Sequence, residues 1–144
     1  MHQDMHHSIS LLLIHICRAH RGCAEGTLNE IGLHAGQEAF LCLLWNQDGQ
    51  TQTQLAEQMG IQPPTLHKMV ARLESAGMVM RRPDAEDQRV SRVYLLDKGR
   101  ALHDGIQRAQ AELEARTTAN LTLDERVLLR RLLLQVQTNL TTPE

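Results

Sequence analysis

Apolar residues recur at intervals of three and four along most of this chain. Between residues 5 and 21, Ile9, Leu12, Leu13, Ile16 and His20 fall on one helical face. Leu11 and Ile14 widen that stripe, so the first helix is expected to bury more than one face. The Gly-rich stretch "GCAEGTLNEIGLHAG", residues 22–36, breaks the period and reads as a connector. A second helix is expected over residues 37–45, apolar through "AFLCLLW" and stopped by "NQDG".

The middle of the chain is more sharply punctuated. Thr51 stands three residues before Gln54, a capping-box pattern that opens a short helix, "QTQLAEQM", with Gly60 as a left-handed stop. In "IQPPTLHKMVARLESAGM" the two prolines suit a first helical turn, whose amides lack partners anyway. Leu66, Met69, Val70 and Leu73 form its buried stripe, and Thr65, His67, Lys68, Ala71, Arg72 and Ser75 its outer face; Gly77 ends it. The runs "MVMRR" and "RVSRVYLL" then read as two strands around the loop "PDAEDQ". A long polar helix is expected over residues 97–119. A last helix is opened by a second capping box, Thr122 with Glu125, and striped by Leu129, Leu132, Leu133, Val136 and Leu140.

Composition refines this picture. A chain of 144 residues fits one domain with a real core. Its only aromatics are Phe40, Trp45 and Tyr94, so the core must be aliphatic, which favours helices. The net charge of −2 selects no partner, but its distribution is uneven. Residues 61–100 hold eight basic and five acidic side chains, net +3, while the remainder holds seven and twelve, net −5. The odd count of three cysteines has no metal-finger spacing, and Cys17 and Cys42 read as small core hydrophobes. The run "ISLLLIHIC" is too short for a membrane span and carries a histidine, so a cytoplasmic protein without membrane contact is expected.

A short helix, a tight turn, a longer helix with a cationic outer face and a two-stranded ribbon make a helix-turn-helix followed by a wing. A helix fits the DNA major groove and presents its outward side chains to base edges. Thr65 and His67 suit base edges; Lys68 and Arg72 suit phosphate or guanine. The competing reading is a merely solvated helix face, and the adjoining ribbon weighs against it.

The segment "LAEQMGIQPPTLHKMVARLESAGMVMRRPDAEDQRVSRVYLLDKG" resembles the MarR (multiple antibiotic resistance regulator) family of winged-helix transcription factors. The match rests on Leu73, Glu74, Gly77, Arg81, Arg82, Asp87, Arg89, Leu95 and Gly99, and the resemblance spans nearly the whole chain. Two positions depart from the family pattern. Gln62 stands where Ser or Thr often caps the recognition helix, and Leu96 replaces a capping Thr, leaving Asp97 as the alternative cap.

The resemblance implies a mainly α fold with a small β-wing. Residues 1–36 would be a dimerisation helix and connector, 37–96 the DNA-binding lobe, and 97–144 a long helix and a C-terminal dimerisation helix. It implies DNA contacts from Gln62, Pro64, Thr65, His67, Lys68, Arg72, Arg81 and Arg89, with Arg89 at the minor groove or flanking phosphates. Asp87 would shape the wing by pairing with a basic residue. It also implies a homodimeric repressor on a pseudo-palindromic operator, released by a small anionic or aromatic ligand, with His15, Arg18, Phe40 and Trp45 as candidate lining.

Other readings stay alongside. A winged-helix protein-interaction module is supported by the acidic body. Redox sensing would fall to Cys17, but the tyrosines that assist such a cysteine are missing. Metal sensing would draw on His2, His6, His7, His15 and His20, with His2 and His6 one helical turn apart. No cofactor and no dedicated metal site are expected. No nucleophile–base pair, Gly-rich phosphate loop or paired carboxylates point to an enzyme.

Overall fold

The computed structural model describes residues 8–143. Helix α1 runs Ile9–Asn29 and α2 Gln37–Asn46; strand β1 is Gln50–Thr51; α3 is Gln52–Met59 and α4 Pro63–Ser75. Strands β2 (Val79–Pro83) and β3 (Ser91–Leu95) form the wing, followed by α5 (Asp97–Ala101), α6 (His103–Thr117) and α7 (Leu123–Thr141). The chain is a mostly helical winged helix-turn-helix with one small antiparallel sheet of order β1-β3-β2. Among the described residues no helix is long and apolar enough to cross a membrane.

The core lies in the lobe. Phe40, Leu41 and Leu44 of α2, Leu55 of α3 and Leu66, Val70 and Leu73 of α4 close on Val79 and Val93 of the wing, with Ile106 of α6. Met69 is half-buried at the edge of this stripe. Both capping boxes form: Thr51 with Gln54, and Thr122 with Glu125. Gly60 ends α3 at φ +65, a conformation that disfavours any residue with a Cβ. Gly99 has a different reason to be glycine: a Cβ there would lie 2.3 Å from the Met78 carbonyl oxygen.

Several expectations need correction. The first helix runs eight residues beyond its expected end at Arg21, absorbing much of the supposed connector. Gly22 and Gly26 sit inside it with open space around them, so nothing but their modest propensity cost opposed continuation. Nor does α1 bury several faces in the single chain: Leu28 is its one fully buried residue, and Ile9, Leu12, Ile14 and Ile16 are exposed. Cys17 is exposed rather than core, and Cys42 is half-buried against the core. The long polar helix is two helices that meet at Leu102. Leu96, not Asp97, occupies the N-cap of α5 and makes no side-chain cap, while Asp97 adds negative charge to the first turn. The two-residue strand β1 carried no period long enough to read.

Candidate nucleic-acid interface

Helix α4 divides cleanly. Its apolar stripe is buried, and Gln62, Pro63, Pro64, Thr65, His67, Lys68, Ala71 and Arg72 are all exposed. Gln62 stands at the N-cap without a side-chain cap hydrogen bond, and its amide has no partner among the described residues. Lys68 and Arg72 enter no ion pair among the described residues. Two uncommitted cations, an imidazole and a hydroxyl thus project from the surface of a protruding helix, the chemistry that reads phosphates and base edges.

The remaining basic residues of this region are committed internally. Arg81 closes on Glu74 at the end of α4, with Nη2 2.9 Å from Oε1, and its backbone N–H donates to Oε2 at 3.1 Å. These hydrogen bonds hold the Glu74 carboxyl below the usual range. Arg100 pairs with Asp48 at 2.9 Å, and the other Asp48 oxygen accepts the Leu95 amide at the end of β3. Arg82 lies 5.7 Å from the centroid of the Tyr94 ring, a cation–π contact.

The wing loop is organised around Asp84, the first of the three acids in the loop "PDAEDQ". Its Oδ1 accepts from Arg92 Nε, its Oδ2 accepts the amides of Glu86 and Asp87 at 3.1 Å, and its own amide donates to the Val90 carbonyl at 2.8 Å. The Arg92 hydrogen bond holds the Asp84 carboxyl below its ordinary value, and the same pairing raises Arg92. Arg92 Nη1 also donates to the Gly49 carbonyl at 2.8 Å, fastening the wing to the edge beside β1. Asp87, the expected wing-shaping acid, pairs with Arg89 itself: Nε to Oδ1 at 3.1 Å and Nη2 to Oδ2 at 3.3 Å. The Arg89 side chain is 92 % exposed at the loop tip. The signal that points to the partner of Asp84 is cross-strand: Arg92 and Arg82 face each other in the ladder, one residue from the loop on the β2 side.

The four candidate effector residues are not gathered into one cavity. His15 and Arg18 are exposed on α1, whereas Phe40 is wholly buried and offers no surface to a ligand. Trp45 is half-buried and meets His103 edge-on at 4.6 Å between centroids. A cleft of about 630 Å³ lies instead between α6 and α7 and is walled by Val127, Leu129, Leu133 and Leu134. Burial pushes the Cys42 thiol up, a hydrogen bond with Gln110 opposes this, and the Glu38 charge adds to it, a setting that disfavours the reactive thiolate. Among the described residues no group of three or more His, Cys, Asp or Glu could hold a metal ion. His15 and His20 are exposed on α1; His2, His6 and His7 lie outside the described residues.

Comparison with known proteins agrees with this geometry. The family model described as "MarR family" matches residues 33–91, the span from just before α2 to the first residue of β3. HTH-type transcriptional regulator YdgJ of Bacillus subtilis is 29 % identical over 113 residues, covering 78 % of this chain and 69 % of that protein. A probable transcriptional regulator from Pseudomonas aeruginosa superposes with a TM-score of 0.83 at 27 % identity, over 92 % of this chain and 99 % of that one. A mutant MarR of E. coli, solved in complex with operator DNA, superposes with a TM-score of 0.81 at 27 % identity, over 89 % and 92 %. Winged fold, wing motif and matched segment agree in likening the chain to the transcriptional regulators of the MarR family.

Proposed function

We propose that this protein is a DNA-binding transcriptional regulator that represses transcription as a homodimer on a pseudo-palindromic operator in the cytoplasm and is released by a small anionic or aromatic effector. The observation that carries the reading is the divided α4: its stripe is sealed in the core while Thr65, His67, Lys68 and Arg72 stand outward, the two cations unpaired among the described residues. The E. coli MarR likeness supports it, since that protein was solved with operator DNA. In this reading Gln62, Pro64, Thr65 and His67 face base edges, Lys68 and Arg72 reach guanine or phosphate, and Arg89 reaches beside the groove. Arg81 acts from the base of the ribbon.

The dimer is supported by α7, a 19-residue helix with no buried residue, and by the exposed apolar positions of α1. Such continuous apolar surface marks an interaction site. A two-fold pair would place two copies of α4 against successive major-groove faces. His15 and Arg18 on α1 are the exposed cationic candidates for an anionic effector, which would act by binding one spacing of the two α4 helices better than the other.

Selection of the purified protein on random duplexes tests the reading. Enrichment of a palindrome is expected, with affinity that falls steeply with salt. Arg72→Ala should cost about 1–3 kcal/mol of discrimination at its base pair if it reads guanine. No enriched palindrome, together with unchanged duplex affinity for Arg72→Ala and Arg89→Ala, would refute it. Displacement of the bound operator by aromatic acids, but not by oxidants or metals, is the expected effector result.

A further inference from the structure

Three acids lie in the wing loop within four residues, and their hydrogen bonds separate them into different roles. Glu86 makes no side-chain hydrogen bond or ion pair among the described residues. Asp87 is bound within the loop, to the side chain and amide of Arg89 two positions on. Asp84 alone joins the loop to the sheet. Its carboxylate holds two loop amides on one oxygen and the Arg92 guanidinium on the other, and Arg92 in turn grips the Gly49 carbonyl across the sheet. Loop, β3 and the residue preceding β1 are thereby linked through one carboxylate. Asp84 is also the least exposed of these acids, with a side chain 18 % accessible against 44 % for Asp87.

We infer that Asp84 and Arg92 are the positioning residues of the DNA-reading wing: they fix where Arg89 is presented, and neither needs to touch the nucleic acid. Asp87 is then a local partner of Arg89 that the DNA phosphate replaces on binding. The inference rests on the reading of the wing as a DNA contact and goes beyond it by separating the residues that aim the wing from the residue that binds. Its chemistry is specific. Asparagine at position 84 keeps an oxygen for the two loop amides but offers Arg92 an amide donor where it needs an acceptor, so the local turn survives while the tie to the sheet is cut. Asparagine at position 87 likewise keeps an oxygen for the Arg89 amide.

These two substitutions remove the same charge from the same loop, so simple electrostatics toward DNA predicts tighter binding for both. Positioning predicts opposite results. With the operator selected by the wild-type protein, Asp84→Asn should weaken binding roughly tenfold, as loss of charge-assisted hydrogen bonds in both protomers would do. Asp87→Asn should bind as well as wild type or better. A double-mutant cycle supplies the readout that a purely structural role would not move: in an Arg89→Ala background, Asp84→Asn should cost less than twofold, because the residue being aimed is gone. Arg92→Lys, which cannot bridge Asp84 and Gly49 in the same way, should behave like Asp84→Asn. Unfolding midpoints of all variants are measured in parallel. Equal tightening by Asp84→Asn and Asp87→Asn, or a full additional loss from Asp84→Asn in the Arg89→Ala background, overturns the inference while leaving DNA binding intact. Failure of the wild-type protein to bind any duplex overturns the underlying reading as well.

Discussion

In α4 the large apolar side chains Leu66, Val70 and Leu73 are at most 1 % exposed, whereas in α7 eight large hydrophobics stand between 37 % and 78 % exposed. Both helices carry an apolar stripe at helical spacing, so pattern alone does not distinguish them. The difference lies in what each can reach within one chain. Helix α4 packs against α3 and β2 within about thirty residues of sequence, and those contacts close a core. Helix α7 follows a turn at Thr118 to Leu121 and runs off with only Val136 half-buried. In proteins most helical stability comes from packing of an apolar face rather than from propensity. The lobe therefore carries the fold within the chain, and the terminal helices carry a demand for a second surface.

The sharpest break in that comparison is a charge in the middle of the α7 stripe. Leu133→Glu should dissociate the proposed dimer at micromolar concentration, reduce helicity measured by circular dichroism, and lower operator affinity about 100-fold or more, because each lobe then binds its half-site without a linked neighbour. Sedimentation and gel-shift titration read the two effects separately. A dimer that persists in this variant would place the interface elsewhere and remove the contrast between the regions.

Next in size is a cavity in the lobe. Leu66 is fully buried, so Leu66→Ala should cost about 3 kcal/mol in urea unfolding. The informative measurement is the same substitution in the Leu133→Glu background. If the lobe is self-sufficient, the cost is unchanged there and independent of protein concentration. If the Leu133→Glu monomer has no cooperative transition at all, the lobe needs the dimer too, and the two regions form one cooperative unit.

The same contrast explains what was legible in the sequence. The helix-turn-helix and the wing could be read because their signals are local: Thr51 with Gln54, Gly60, the Pro63–Pro64 start, Gly77 and the alternation through Val93 and Leu95 all sit next to the structure they specify. The misreadings come from effects that are not local. Helix α1 continues through Gly22 and Gly26 because its later turns pack on α6, eighty residues away, and that contact outweighs the glycine cost. The exposure of Cys17 and of the α1 stripe follows from the lack of an apolar cover among the described residues, which no periodicity reports. The partner of Asp84 was not legible because Arg92 lies across the hairpin, and only the strand register brings the two together. The outward face of α4 was legible as a surface; the base pairs it would meet are not encoded in any single helix.

The smallest effect makes the finest comparison. Each region contains one capping box of the same chemistry: Thr51 accepts from the Gln54 amide at 3.1 Å, and Thr122 accepts from the Glu125 amide at 3.2 Å. Replacing either threonine by alanine should cost about 1 kcal/mol in helix stability. The two losses should surface in different measurements. Thr51→Ala, at the start of α3 beside β1, should lower the unfolding free energy of the lobe in the Leu133→Glu monomer as well as in the dimer. Thr122→Ala, at the start of α7, should leave that monomer's lobe unchanged and appear as a roughly thirtyfold weaker dimer, about 1 kcal/mol from each of the two copies, if association is what orders α7. A Thr122→Ala variant that lowers the monomer's unfolding free energy as much as Thr51→Ala would show that α7 is already part of the lobe's own cooperative core, and the division drawn here between a closed lobe and an open arm would not stand.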